Sequence, residues 1–132
     1  MDSTPVQLIE KVYEAFRTRD MAAIVGLLSP EVEITQSEEL PWGGVYRGLM
    51  GVMQFFGKLR AEINSTVAVE RLIHAGDHVV AIGWTSGTVN ATGATYNVPI
   101  AHVWQVKEGR IAAVQFLIDN PTMLAALATK GG

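Results

Sequence analysis

Few side chains in this sequence are equipped to move a proton, and the best placed is Asp119. It follows the strand-like run Arg110–Ile118 and stands directly before Asn120-Pro121, a helix start. A carboxylate beside apolar Phe116 and Ile118 could act as a base. The commoner role at such a position is to accept from the free N–H groups of the following helix. Tyr46 and Trp42 lie in Pro41-Trp-Gly-Gly-Val-Tyr-Arg-Gly48, a glycine-rich loop. Such a loop can serve as a lid that offers a hydroxyl or an indole N–H to a ligand; alternatively Trp42 plugs an open end. The catalytic candidates are therefore Asp119 and Tyr46. Arg47 could pair with Asp119 or with a ligand carboxylate, although an isolated loop arginine is more often a solvated charge. His102 has the chemistry of a general base near neutrality. His74 and His78 flank the Gly76-Asp77 turn and project to opposite faces of a hairpin, so no metal site is expected there. No Ser-His-Asp or phosphate-loop pattern occurs, and no cofactor is expected.

These groups sit in a chain of 132 residues, expected to form a single domain over 1–132 with a substantial core. Hydrophobic residues make up 48% and charged residues 17%, which argues against disorder. The net charge of −3, with no basic cluster, argues against nucleic acid and anionic membranes as partners. Without cysteine there is no thiol nucleophile, disulfide or zinc-thiolate site. The start, Met1-Asp-Ser-Thr-Pro, lacks the pattern of a signal peptide and no apolar run is long enough for a membrane span, so a cytoplasmic location is expected.

Thr4-Pro5 supplies a cap and a first-turn proline, and Val6, Ile9, Tyr13 and Phe16 recur at helical spacing. Asp20 caps a second helix, Met21 to Leu28, closed by Pro30. Val32, Ile34 and Gln36 share one face of a short strand, Glu31–Gln36. A loop over Glu38–Gly48 leads to a third helix, Leu49 to about Glu62, with Val52, Phe56, Leu59 and Ile63 as its stripe. Strands follow at Thr66–Ala75, His78–Thr88, Thr95–Lys107 and Arg110–Ile118, then a short helix at about Thr122–Thr129. Helices first and an antiparallel meander afterwards make an α+β arrangement.

That order, together with Tyr13-Glu-Ala-Phe-Arg-Thr-Arg-Asp20, Leu40-Pro-Trp-Gly-Gly-Val-Tyr-Arg-Gly48, Phe55-Phe56 and Ala101-His-Val-Trp-Gln-Val-Lys-Glu-Gly-Arg-Ile111, resembles a known family over essentially the whole chain. It is similar to the SnoaL-like, ketosteroid-isomerase-related branch of the nuclear transport factor 2-like superfamily, whose members include polyketide-cyclase-like proteins. The resemblance implies a cone-shaped curved sheet, mixed but mostly antiparallel, wrapped around three N-terminal helices with a short C-terminal helix. It also implies an internal pocket and a homodimer formed through the outer sheet face. The steroid-isomerising residues do not carry over. Gln36 stands at the position of the base, Ala101 at that of the protonated acid, and Val12 at that of the helix-1 tyrosine. Tyr13 lies one residue along, about 100° around the helix. Gln36 cannot abstract a proton and Ala101 cannot donate one. In nearer relatives the last strand carries glutamate or tryptophan before an Asp-Thr; here those positions read Phe116 and Asp119-Asn120.

If Ala101 faces the pocket, strand alternation brings Pro99, Val103 and Gln105 with it and turns His102 and Trp104 outward, toward a dimer contact. The same alternation places Val114, Phe116 and Ile118 inward on the last strand, and Val80, Ile82, Trp84 and Ser86 on an earlier one. Phe16, Ile34, Gln36, Trp42, Tyr46, Met53, Phe55 and Phe56 complete the expected lining from the helical side. Such a lining suits a small apolar or aromatic molecule held by one or two polar groups, or else these aromatics simply fill the core. A small-ligand protein is thus expected, possessing cofactor-free isomerase, cyclase or hydratase chemistry; the alternative is a non-catalytic binding or dimerisation module.

Overall fold

The computed structural model describes residues 4–129; Met1-Asp-Ser and the outer limits of the expected 1–132 domain lie outside the described residues. Helix α1 (Pro5–Thr18) begins in a reciprocal capping box. Thr4 Oγ1 accepts from the Gln7 amide, and the Gln7 side chain accepts from the Thr4 amide. Its buried stripe is Leu8, Ile9, Val12 and Ala15. Asp20 caps α2 (Met21–Leu27) through the Ala23 amide. That helix gives way to strand β1 (Leu28–Gln36) before Pro30 is reached, so the strand starts earlier than alternation alone suggested.

The loop after β1 contains a strand that composition concealed, β2 (Gly44–Arg47), paired with β1 through Ile34 and Tyr46. Helix α3 (Gly48–Glu62) runs directly into β3 (Ile63–Ala75), which is followed by β4 (His78–Val89), β5 (Thr95–Lys107), β6 (Arg110–Ile118) and α4 (Asn120–Ala128). The sheet order is β2-β1-β6-β5-β4-β3, antiparallel except where β1 and β6 run parallel. Helices α1 and α3 pack on the concave side, α1 against β3 and β4, α3 against β1 and β2. The result is the expected α+β cone. No helix among the described residues is long and apolar enough to cross a membrane.

The β5–β6 hairpin decides which side chains enter the cone. Glu108 (φ 52°) and Gly109 (φ 75°) form a tight two-residue turn that pairs Lys107 with Arg110 and Val106 with Ile111. One residue further the register shifts: Gln105 pairs with Ala113 and Trp104 with Val114, leaving Ala112 as an extra residue in a bulge. Continued without the bulge, the turn would set Ala101 opposite Phe116. With it, His102 faces Phe116 and Ala101 faces Leu117. A one-residue slip moves a strand's side chains to the other face. The outward assignment of His102 and Trp104 is thereby corrected: both are buried, at 5% and 1% exposure.

Candidate active site: a cavity with one neutral histidine

A cavity of about 690 Å³ lies between the concave sheet face and the helices. Its apolar wall comes from Phe16 on α1, Phe55 and Phe56 on α3, Trp42 in the loop, and Phe116 and Ile118 on β6, with buried Gln36 beside them. All of these were expected in the lining. Trp42 is held by its indole N–H, which donates to Gln36 Oε1 at 2.9 Å. The loop can fold this closely because residue 43 is glycine: a Cβ there would lie 1.8 Å from the Ser37 carbonyl oxygen.

Other expected lining residues lie elsewhere. Ala101, Val103, Val80 and Ile82 occupy the outer face of β5 and β4, partly exposed, because the bulge reverses the assumed alternation. Trp84 is on that face too, 39% exposed, donating its indole N–H to Glu70 Oε1 at 3.0 Å. Met53 is 54% exposed, on the outer side of α3. Ile34 is buried in the core without reaching the cavity. Tyr46 is also buried off the cavity, its hydroxyl 3.1 Å from the carbonyl oxygens of Trp42 and Gly43, so it braces the loop. Asp119 caps α4: one oxygen accepts from the Thr122 amide at 3.2 Å and the other from the Thr122 hydroxyl at 2.7 Å. It does not line the cavity. Arg47 pairs with Glu33 at 3.0 Å.

What the bulge brings in is His102, stacked edge-to-face on Phe116 with ring centroids 4.6 Å apart. Its Nδ1 lies 2.6 Å from the hydroxyl of Tyr13, and the indole N–H of Trp104 donates to that same hydroxyl oxygen at 2.9 Å. Indole N–H only donates, so the Tyr13 oxygen accepts from Trp104. With His102 as the Nε2–H tautomer, Nδ1 accepts the buried phenol hydrogen; the other tautomer leaves that hydrogen without an acceptor among the described residues. Nε2 has no hydrogen-bond partner among the described residues, in a ring that lines the cavity. Burial drives the His102 pKa down to about 3, so the imidazole is neutral at physiological pH. Burial likewise pushes the Tyr13 phenol up, only partly opposed by the Trp104 hydrogen bond, so it remains a donor. Tyr13 reaches this network from the helix position next to buried Val12.

A signal for His102 was present in the sequence. Both parities of β5 are apolar, but Val98, Ile100, Trp104 and Val106 outweigh Pro99, Ala101 and Val103 in bulk, and the bulkier set is the buried one. Among the described residues no group of three or more His, Cys, Asp or Glu side chains is arranged to hold a metal ion.

Residues 9–114 match the model of a family described as a SnoaL-like domain. The chain belongs to the SnoaL-like family. No curated protein sequence matches this SnoaL-like chain. Among solved structures, a nuclear transport factor 2-like protein of Burkholderia thailandensis E264 is 30% identical, with TM-score 0.90 over 96% of this chain and 99% of that one. TerC, co-crystallized with polyporic acid, is 24% identical, with TM-score 0.89 over 96% of this chain and 100% of that one. A Pseudomonas putida KT2440 protein provisionally named a polyketide cyclase is 21% identical, with TM-score 0.82 over 96% and 99%. The likenesses to TerC and to the P. putida protein are evidence of the shared fold, the SnoaL-like cone of the nuclear transport factor 2-like superfamily.

Proposed function

We propose that this SnoaL-like chain binds a small, largely apolar metabolite in its cone and acts on it without a cofactor, by isomerisation, cyclisation or hydration. The observation that carries the reading is the buried ring of His102, whose Nδ1 lies against the Tyr13 hydroxyl and which lines an aromatic cavity; in the Nε2–H tautomer it offers a donor to a ligand there. A neutral imidazole N–H polarises a carbonyl and stabilises the negative charge that develops on its oxygen, and it does so best where water is excluded. With Nδ1 occupied and the ring resistant to protonation, His102 serves as an electrophilic donor, not as a base.

A second reading, a module that binds the same kind of ligand without turning it over, is favoured by one feature. No lining residue is a carboxylate, and Asp119 is engaged at α4. The two readings share a test of the cavity. A panel of aromatic and polycyclic ketones is titrated while Trp42 fluorescence and the His102 ring nitrogen shifts are followed by optical and NMR spectroscopy. Saturable binding is expected, abolished when Leu59→Trp fills the cavity from α3. Binding indifferent to that filling, or none across the panel, overturns both. Turnover of a bound ketone that disappears in His102→Phe supports catalysis, and stable binding without product leaves the module.

We also propose that the outer sheet face meets a second copy of the chain. Trp84, Ile73 and Leu117 are 39%, 39% and 43% exposed there, more apolar surface than a solvated face usually carries. Sedimentation should show a dimer that Trp84→Glu dissociates, and a wild-type monomer at all concentrations rules it out.

A further inference from the structure

The charges around the cavity have one sign. Arg17, Arg19 and Arg60 line it, and no Asp, Glu or Lys does, although acidic residues outnumber basic ones in the chain as a whole, thirteen to ten. The three are not equivalent. Arg17 is held by Glu14 on the same helix, so much of its charge is already answered. Arg19 donates to Asn64 Oδ1 at 3.0 Å, a neutral partner that positions the guanidinium and leaves its charge intact. Arg60 lies over the ring of Phe56, itself a lining residue, at 5.9 Å from the centroid. Neither Arg19 nor Arg60 has a carboxylate partner among the described residues. The neighbouring acid, Asp20, is turned to the Ala23 amide as the cap of α2.

Arg19 also occupies a costly place. It ends α1 in the left-handed region (φ 57°, ψ 37°), where glycine is the residue that fits without strain. The side chain kept at this strained position reaches the cavity rim, and strain of this kind is an observed outlier that directs attention to function.

We infer that the ligand of this cavity is an amphipathic acid: an apolar, aromatic-sized body against Phe56 and Phe116, and a carboxylate, ionised enol or phenolate at the rim formed by Arg19 and Arg60. Guanidinium forks match the two oxygens of such anions in geometry as well as charge. This rests on the cavity being the binding site, and the experiment separates the two ideas.

Two fluorescent probes of one aromatic scaffold are compared on the intact chain: anilinonaphthalene sulfonate, which is anionic, and phenyl-naphthylamine, which is neutral. Both should bind and both should be lost in Leu59→Trp. The anionic probe should bind more tightly, by about fivefold for each unneutralised arginine, with the advantage shrinking as salt is added. Arg60→Gln should weaken the anionic probe more than the neutral one, so that the ratio of their affinities falls by its share. Arg19→Gly is the sharper variant, because it removes a guanidinium and relieves the backbone. Its thermal midpoint should hold or rise while the preference for the anion falls. Equal affinities in the wild type, or a preference that survives both substitutions, overturn the anionic-ligand inference and leave the cavity standing. Failure of both probes to bind, or binding untouched by Leu59→Trp, overturns the cavity and the inference with it.

Discussion

Tyr13 Oη and His102 Nδ1 lie 2.6 Å apart across 89 positions of sequence, joining helix α1 to the sheet strand that it faces. Removing the hydroxyl exposes what that contact does. Tyr13→Phe leaves Nδ1 buried without a donor and the Trp104 indole N–H without its acceptor. The expected loss is about 1–3 kcal/mol for each orphaned group, read by urea denaturation. In nitrogen-15 NMR the wild-type ring should show a single Nε2–H tautomer at neutral pH, and the variant a mixture. A charged or Nδ1–H ring in the wild type would contradict the network.

Acid should destabilise the protein through the same ring. His102 is neutral when folded down to about pH 3, whereas an unfolded histidine takes up a proton near 6.5. The unfolded state thus binds the extra proton. This contribution to stability is intact above pH 6.5 and is lost at about 1.4 kcal/mol per pH unit as the pH falls through that window. Denaturation midpoints of wild type and His102→Gln, compared between pH 6.5 and 5 where most carboxylates stay ionised, should differ in slope. Parallel profiles would place the imidazole in a more hydrated setting.

Deleting Ala112 should be tolerated, although it lies within a strand. Ala113 then follows Ile111 directly, and the register set by the Glu108-Gly109 turn already places Gln105 opposite Ala113, Trp104 opposite Val114 and His102 opposite Phe116. A cooperative calorimetric transition should survive the deletion. Its loss would show that the bulge does more than offset one residue.

Asp119→Ala tests the cap directly. Loss of the oxygen that accepts from the Thr122 amide should cost about 0.5–2 kcal/mol. Occupation of the cavity by the neutral naphthylamine should be unchanged, because Asp119 does not line it. Equal stability with altered ligand chemistry would return Asp119 to the list of reacting groups.

Much of the architecture could be read from local pattern. Thr4-Pro5, Asp20 and Asn120-Pro121 mark helix starts through capping groups within three or four residues, and Glu108-Gly109 sets a turn through its own backbone preferences. Phe16 lies on the apolar stripe of α1, one of the adjacent Phe55 and Phe56 had to face inward from α3, and alternation along β6 puts Phe116 on the inner side; all four line the cavity. Strand β2 was concealed because four residues, two of them glycine and arginine, carry too little pattern to separate a strand from a loop.

The facing of β4 and β5 was of another kind. Both sides of those strands are apolar, since one side meets the helices and the other carries the exposed surface around Trp84. Alternation therefore could not choose between Ala101 and His102, and the choice passed to a single unpaired alanine on the adjoining strand. The rim arginines were equally illegible: basic residues in the last turn of a helix usually answer the helix dipole, and only packing shows that Arg19 and Arg60, 41 residues apart, border one hollow. Capping, turn chemistry and apolar spacing act over a few residues and were settled by the order of amino acids. Strand register, and with it the side chains that share the cavity, depends on contacts between distant segments and was settled only by the folded chain.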